Sequence, residues 1–115
     1  MSEEVSLSKN KFLLREGEDS NEMYLVRSGT LAVMKVQGSA EKQIGTVYSG
    51  ELVGEMSFLD EAPRSASVKG VTDSELVVVP RERFNKLFRD LPPWFKSLVH
   101  TLLERLRKAN NRIRI

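Results

Sequence analysis

The chain predicts a mainly β domain of antiparallel strands, a sandwich or roll, followed by two C-terminal helices. Two periodicities and the point where they change carry that expectation. Between Phe12 and Pro80, short apolar runs are separated by Gly17, Gly29, Gly38, Gly50 and Gly70, the alternation expected of strands and turns. Beyond Pro80 the apolar residues recur at intervals of three and four, the helical period. With 115 residues, of which 40% are hydrophobic, the chain suits one domain with one core.

Taken in order, strands are predicted at 12–14, 23–26, 31–36, 44–47, 66–68 and 76–79. Residues 2–10 look weakly ordered at their start. Arg27-Ser28-Gly29-Thr30 predicts a tight hairpin in which Gly29 takes positive φ. Gln37-Gly38-Ser39-Ala40-Glu41 predicts a second, longer hairpin loop. Phe84, Leu87 and Phe88 share one face of a short helix that ends before Leu91-Pro92-Pro93. From Trp94, a second helix carries Phe95, Leu98, Val99, Leu102, Leu103, Leu106 and Ala109 on one stripe. The expected layout is one domain over 1–115, a β-roll at about 11–80 and helices at about 81–90 and 93–112.

Composition removes several functions. Without cysteine there is no disulfide framework, thiolate metal site or cysteine nucleophile. One histidine, His100, excludes multi-histidine metal centres, including those of metal-dependent enzymes on similar β-rolls. It is expected to be a helix-face residue. The apolar runs are too short to cross a membrane, and Met-Ser-Glu-Glu lacks the features of a signal peptide, so the cytoplasm is the expected location.

Net charge is +2, but residues 1–80 carry 8 Lys/Arg against 13 Asp/Glu, and residues 81–115 carry 10 against 3. Such a basic third can contact nucleic acid. Here Arg105, Arg107, Lys108, Arg112 and Arg114 lie near a helix C-terminus, where cations suit the dipole, and a solvated face is the better explanation. The apolar stripe is expected first to pack against the roll, with a two-helix dimer seam as its second use.

The segment richest in chemistry runs from Gly50 to Val68. Gly54 lets backbone approach a ligand. A helical turn over 56–59 presents free N–H groups to an anion. Pro63 stiffens the approach to Arg64, whose guanidinium suits a phosphate, and Ser65 adds a hydroxyl beside it. Glu55, acceptor-only when ionised, suits sugar hydroxyls. Together they describe a pocket for a small phosphorylated sugar.

Gly54-Glu55, Pro63-Arg64, Ala66 and Ser67-Val68 resemble the phosphate-binding cassette of the cyclic-nucleotide-binding domain family, whose pattern is Phe-Gly-Glu, a short helix, then Pro-Arg-x-Ala-Thr/Ser-Val. Arg15-Glu16-Gly17-Glu18 and Met23 to Gly29 resemble the family's early hairpin, and the likeness spans about residues 11–110. It implies a jelly-roll-like antiparallel β-roll with a short helical cassette and two C-terminal helices, the last a hinged lid. It implies a non-enzymatic sensor that binds cAMP, or alternatively cGMP, needs no cofactor or metal, and signals to an effector protein or domain.

By the same resemblance, Glu55 and the Gly54 backbone meet the ribose 2′-hydroxyl, while Arg64, Ser57 and Ser65 meet the cyclic phosphate. Val47 and Val53 flank the base, and one of Leu102, Leu103 or Leu106 covers it. Val53 stands where the family has Phe, which makes a smaller wall. The family's leading helix is short or missing here. Competing explanations are a surface Arg64, a Glu55 paired with Arg64 in an empty pocket, and a ligand-free interaction module. Ser65 and Ser67 alternate with Ala66 and Val68 along a strand, and of the two serines Ser65, adjacent to Arg64, is the better pocket residue.

Overall fold

The computed structural model describes residues 3–109, eight strands and three helices. The strands are β1 (Glu3–Leu7), β2 (Phe12–Leu14), β3 (Glu22–Ser28), β4 (Thr30–Gln37), β5 (Ala40–Tyr48), β6 (Leu52–Val53), β7 (Ser67–Gly70) and β8 (Ser74–Pro80). Helix α1 (Glu55–Asp60) lies between β6 and β7, and α2 (Arg81–Arg89) and α3 (Pro93–Ala109) follow β8. Two antiparallel four-stranded sheets, ordered β1-β8-β3-β6 and β2-β7-β4-β5, face each other as the predicted roll.

Alternation builds the core. Tyr24 and Val26 on β3, Leu31 and Val33 on β4, and Leu76 and Val78 on β8 point inward at every second position. Registers Val26↔Leu76 and Val33↔Val68 align these rows across neighbouring strands. Val26, Leu31, Val33, Val53 and Leu76 are fully buried. Each such side chain contributes roughly 1.5–3 kcal/mol of burial free energy.

Three local expectations are corrected. Residues 3–7, expected to be weakly ordered, form β1, paired with β8 through Val5↔Leu76. Leu7 is buried, and that contact with a strand some seventy residues away orders the segment. The Gly29 turn is not a hairpin, because β3 and β4 belong to different sheets. Gly29 carries the chain between the sheets at φ 103°, so close to β8 that a Cβ would lie 2.1 Å from Ser74 Oγ. The second turn is a hairpin but a tight one: Gln37 pairs with Ala40, leaving Gly38-Ser39 as the loop.

The C-terminal helices begin and break where proline predicts. Pro80 precedes α2, and Pro93 opens α3, where its missing N–H has no intrahelical role. The stripe of α3 divides, contrary to the expectation that it packs on the roll. Lys96, Val99, Leu103 and Arg107 are half-buried, whereas Phe95, Leu98, Leu102 and Leu106 are exposed. On the inner side, Arg107 forms an ion pair with Asp60 at the end of α1. It also pairs with Glu104 one turn back, so it is no free member of a solvated basic face. Arg112 and Arg114 lie outside the described residues. No helix among the described residues is long and apolar enough to cross a membrane.

Candidate functional site

The segment singled out from the sequence forms one compact arch. Gly54 caps α1 in the left-handed conformation, φ 78°, and Glu61 ends the helix in the same conformation at φ 55°. Phe58 N donates to Gly54 O at 3.2 Å, which fixes the first turn. Glu55 is therefore the first helical residue, and Arg64 follows the arch on the way into β7.

A loop between β2 and β3 straps this arch to the roll. Gly17 N donates to Arg64 O, and Arg64 N donates to Glu18 O, each at 2.8 Å. The buried Ser20 hydroxyl lies 2.9 Å from Ser57 O and 2.5 Å from Ala62 O. Arg81, at the start of α2, donates to Ser20 O at 2.6 Å and Phe58 O at 2.7 Å, with its guanidinium 4.4 Å above the Phe58 ring. Loop, arch and α2 thus share one network.

Arg64 is not a surface residue: it is only 4% exposed. Nor does it pair with Glu55. Its Nη1 donates to Gly54 O at 2.8 Å and its Nη2 to Glu22 O, so both amino groups are held by main chain. Behind it, Tyr24 OH donates to Glu22 Oε1 at 2.8 Å. A cleft of about 410 Å³ lies on this side, lined in part by Glu18, Glu22, Tyr24 and Arg64.

Among the described residues, the buried side-chain atoms Arg64 Nε, Ser65 Oγ and Glu55 Oε2 have no hydrogen-bond partner within the protein. Leaving a buried group unsatisfied costs about 1–3 kcal/mol, so these three atoms are ones that a bound ligand can satisfy. Burial pushes the Glu55 carboxyl above its ordinary range, while its own backbone N–H and the Arg64 charge pull it partway back. Burial also lowers the Arg64 pKa, opposed by Tyr24, Glu22 and Glu18. A guanidinium nevertheless stays charged. Two donors and one carboxylate suit an anion next to hydroxyls.

The other expected site residues divide. Gly54 and Ser57 are buried in the arch, Ser57 with its carbonyl accepting from Ala62 N at 3.0 Å. Val47 and Val53 are buried in the core cluster. Ser67 is structural, its hydroxyl accepting from Glu16 N at 2.9 Å. Leu103 lines a cavity of about 170 Å³ with Leu59, Phe84, Phe88 and Val99. Leu102 and Leu106 are 54% and 42% exposed, turned away from that cavity. His100 is exposed on α3, edge-on to Phe88 at 5.7 Å.

Sequence reasoning missed Arg81, Tyr24 and Lys35. A cation opening a helix opposes the dipole, which was a signal that Arg81 works elsewhere. Lys35 interrupts the apolar side of β4, and its Nζ donates to Ser65 O. Among the described residues no group of acidic or histidine side chains could hold a metal ion.

The chain folds as a β-roll with a short helical arch beside a cleft, and comparison with known proteins supplies its class. The chain belongs to the cyclic nucleotide-binding domain family, whose sequence pattern matches residues 4–90. It is 38% identical over 103 residues to the cyclic AMP receptor protein of Thermus thermophilus, covering 89% of this chain and 48% of that protein. Among solved structures it is similar to the EAL enzyme Bd1971. The cAMP-bound form superposes with a TM-score of 0.77 at 26% identity, over 94% of this chain and 29% of the other. The cGMP-bound form gives 0.79 at 25%, over 95% and 29%. The chain thus spans about half the length of its curated relative and less of the enzyme.

Proposed function

We propose that the chain is a cyclic-nucleotide sensor that binds cAMP and converts occupancy into a new position of α3. The observation that carries this is the trio of unpartnered atoms, Arg64 Nε, Ser65 Oγ and Glu55 Oε2. Phosphate oxygens accept from the first two, and the ribose 2′-hydroxyl donates to the third. The ligand therefore offsets the desolvation penalty of these three atoms. The two carbonyls that hold Nη1 and Nη2 fix the guanidinium before the ligand arrives, which reduces the ordering cost of binding. No bond of the ligand is broken, and neither a cofactor nor a metal is needed.

Signalling follows from the shared network. Arg81 ties the end of α1 to α2, and Phe58, Phe84, Phe88 and His100 form consecutive ring contacts from α1 to α3. A shift of α1 on ligand binding moves these contacts together. Coupling requires the nucleotide to bind one α3 position more tightly than another. The exposed stripe of α3 serves as a homodimer seam, and a partner protein or attached domain in the cytoplasm receives the signal. cGMP is the second reading, because the unpartnered Ser65 hydroxyl also suits a guanine amino group.

The test is titration calorimetry of Arg64→Ala with cAMP. Loss of the buried cation weakens binding by about 2–4 kcal/mol. Unchanged affinity overturns the phosphate assignment.

A further inference from the structure

Lys35 departs from the pattern of its own strand. It stands two residues beyond Val33 on β4, hence on the face that Leu31 and Val33 turn into the roll. Register Val33↔Val68 and Met34↔Ser67 brings Lys35 level with Ala66, the residue before β7. There its Nζ donates to Ser65 O and lies 3.4 Å from Glu16 Oε2. The side chain is 36% exposed, so it sits at the mouth of the roll rather than in its core.

The ammonium is thus bonded to the main chain of Ser65, the residue that carries the unpartnered hydroxyl and directly follows Arg64. Nothing in the fold requires a charge there, since the contact to Ser65 O could be supplied by water at so open a place. What the position adds is a second positive charge beside the atoms that await an anion. Glu16, 3.4 Å away, partly neutralises it.

We infer that Lys35 is a binding and specificity-determining residue: it contributes a second cation to the phosphate end of the site, under the control of Glu16. Given the cyclic-nucleotide site proposed above, an entering cyclic phosphate competes with Glu16 for the ammonium. Arg64 supplies directed hydrogen bonds from a buried, fixed plane. Lys35 supplies a mobile point charge from the rim, which a partly solvated site screens with salt. The pair therefore favours anionic ligands over uncharged nucleosides by more than Arg64 alone.

The experiment is titration of the full chain with cAMP and with adenosine at low and high salt. Wild type is compared with Lys35→Met, Lys35→Arg and Glu16→Gln, with thermal midpoints confirming that each variant is folded. Lys35→Met is expected to weaken cAMP binding about 3- to 10-fold at low salt and to flatten its salt dependence, as loss of a half-screened cation requires. Lys35→Arg keeps affinity within about twofold, and Glu16→Gln tightens it by about 2- to 5-fold, because the ammonium is released to the ligand. Adenosine binding is unaffected by Lys35→Met. Wild-type affinity for cAMP in Lys35→Met, or weakening by Glu16→Gln, overturns the role of Lys35 and leaves the sensor standing. A wild-type chain that binds no cyclic nucleotide overturns the sensor itself and this role with it.

Discussion

Gly54 O accepts from Arg64 Nη1 at 2.8 Å, and a Cβ on Gly54 would stand 2.6 Å from that same nitrogen. One glycine therefore both holds the guanidinium and makes room for it. Leu14 Cδ1 closes the other side at 3.1 Å, so an added methyl has no second place to go.

Gly54→Ala is accordingly predicted to harm binding more than folding. Positive φ at 78° strains alanine by about 1 kcal/mol, and α1 survives that. The displaced guanidinium loses its fixed plane, so cAMP affinity falls at least about tenfold, or 1.4 kcal/mol. Calorimetry beside a thermal melt separates the two effects. Wild-type affinity in a destabilised protein would show that Arg64 does not need its Gly54 contact.

Glu55 predicts a pH dependence whose sign is fixed by burial. Its carboxyl is raised above the ordinary 4.5, chiefly by desolvation, so the folded protein holds that proton more tightly than the unfolded chain. The associated stability is complete below 4.5 and is lost as pH rises through the folded value. Ligand binding runs the opposite way, because a hydroxyl donor favours the carboxylate and lowers its pKa. In the window just above 4.5, affinity should rise with pH and binding should release protons. Calorimetry in two buffers of different ionisation enthalpy measures that release. Glu55→Ala removes it, costs about 1–3 kcal/mol of affinity and narrows the preference for ribo- over 2′-deoxyribonucleotides. Retained proton release in that variant would place the titrating group elsewhere.

The parts of the molecule legible in its sequence are those built from local spacing. The glycines and the period change at Pro80 locate the strands and helices, and the residues from Gly54 to Val68 locate the arch. Long-range pairing was not legible. Glu3, Glu4 and Ser6 give β1 a polar surface, and only its register with β8 explains why it is ordered. Gly29 looks like a hairpin turn because both neighbouring runs are apolar, and nothing local says that they join different sheets. The guanidiniums of Arg64 and Arg81 are held by main-chain carbonyls of Glu22, Gly54, Ser20 and Phe58, which no side-chain pattern encodes. The division of the α3 stripe goes with contacts such as the Arg107–Asp60 pair, which joins residues far apart in the chain.

That pair also leads to the prediction for α3. With Lys96, Val99, Leu103 and Arg107 turned toward α1 and α2, the residues Phe95, Leu98, Leu102 and Leu106 form a continuous outer row spaced by three, four and four. Their exposures, 38%, 45%, 54% and 42%, leave an apolar strip along most of a 17-residue helix. A second copy supplies an identical strip related by two-fold symmetry, and pairing buries both without disturbing the inner face. The wild-type chain is therefore expected to be a dimer by light scattering or sedimentation. Leu98→Glu with Leu102→Glu should shift it to monomer, weakening association well beyond tenfold, about 1.4 kcal/mol, since each subunit then carries two like charges into the seam. Cyclic-nucleotide affinity should change far less, because neither residue reaches Glu55 or Arg64. A wild-type monomer at high protein concentration, or a double variant that stays dimeric, would remove α3 as the seam.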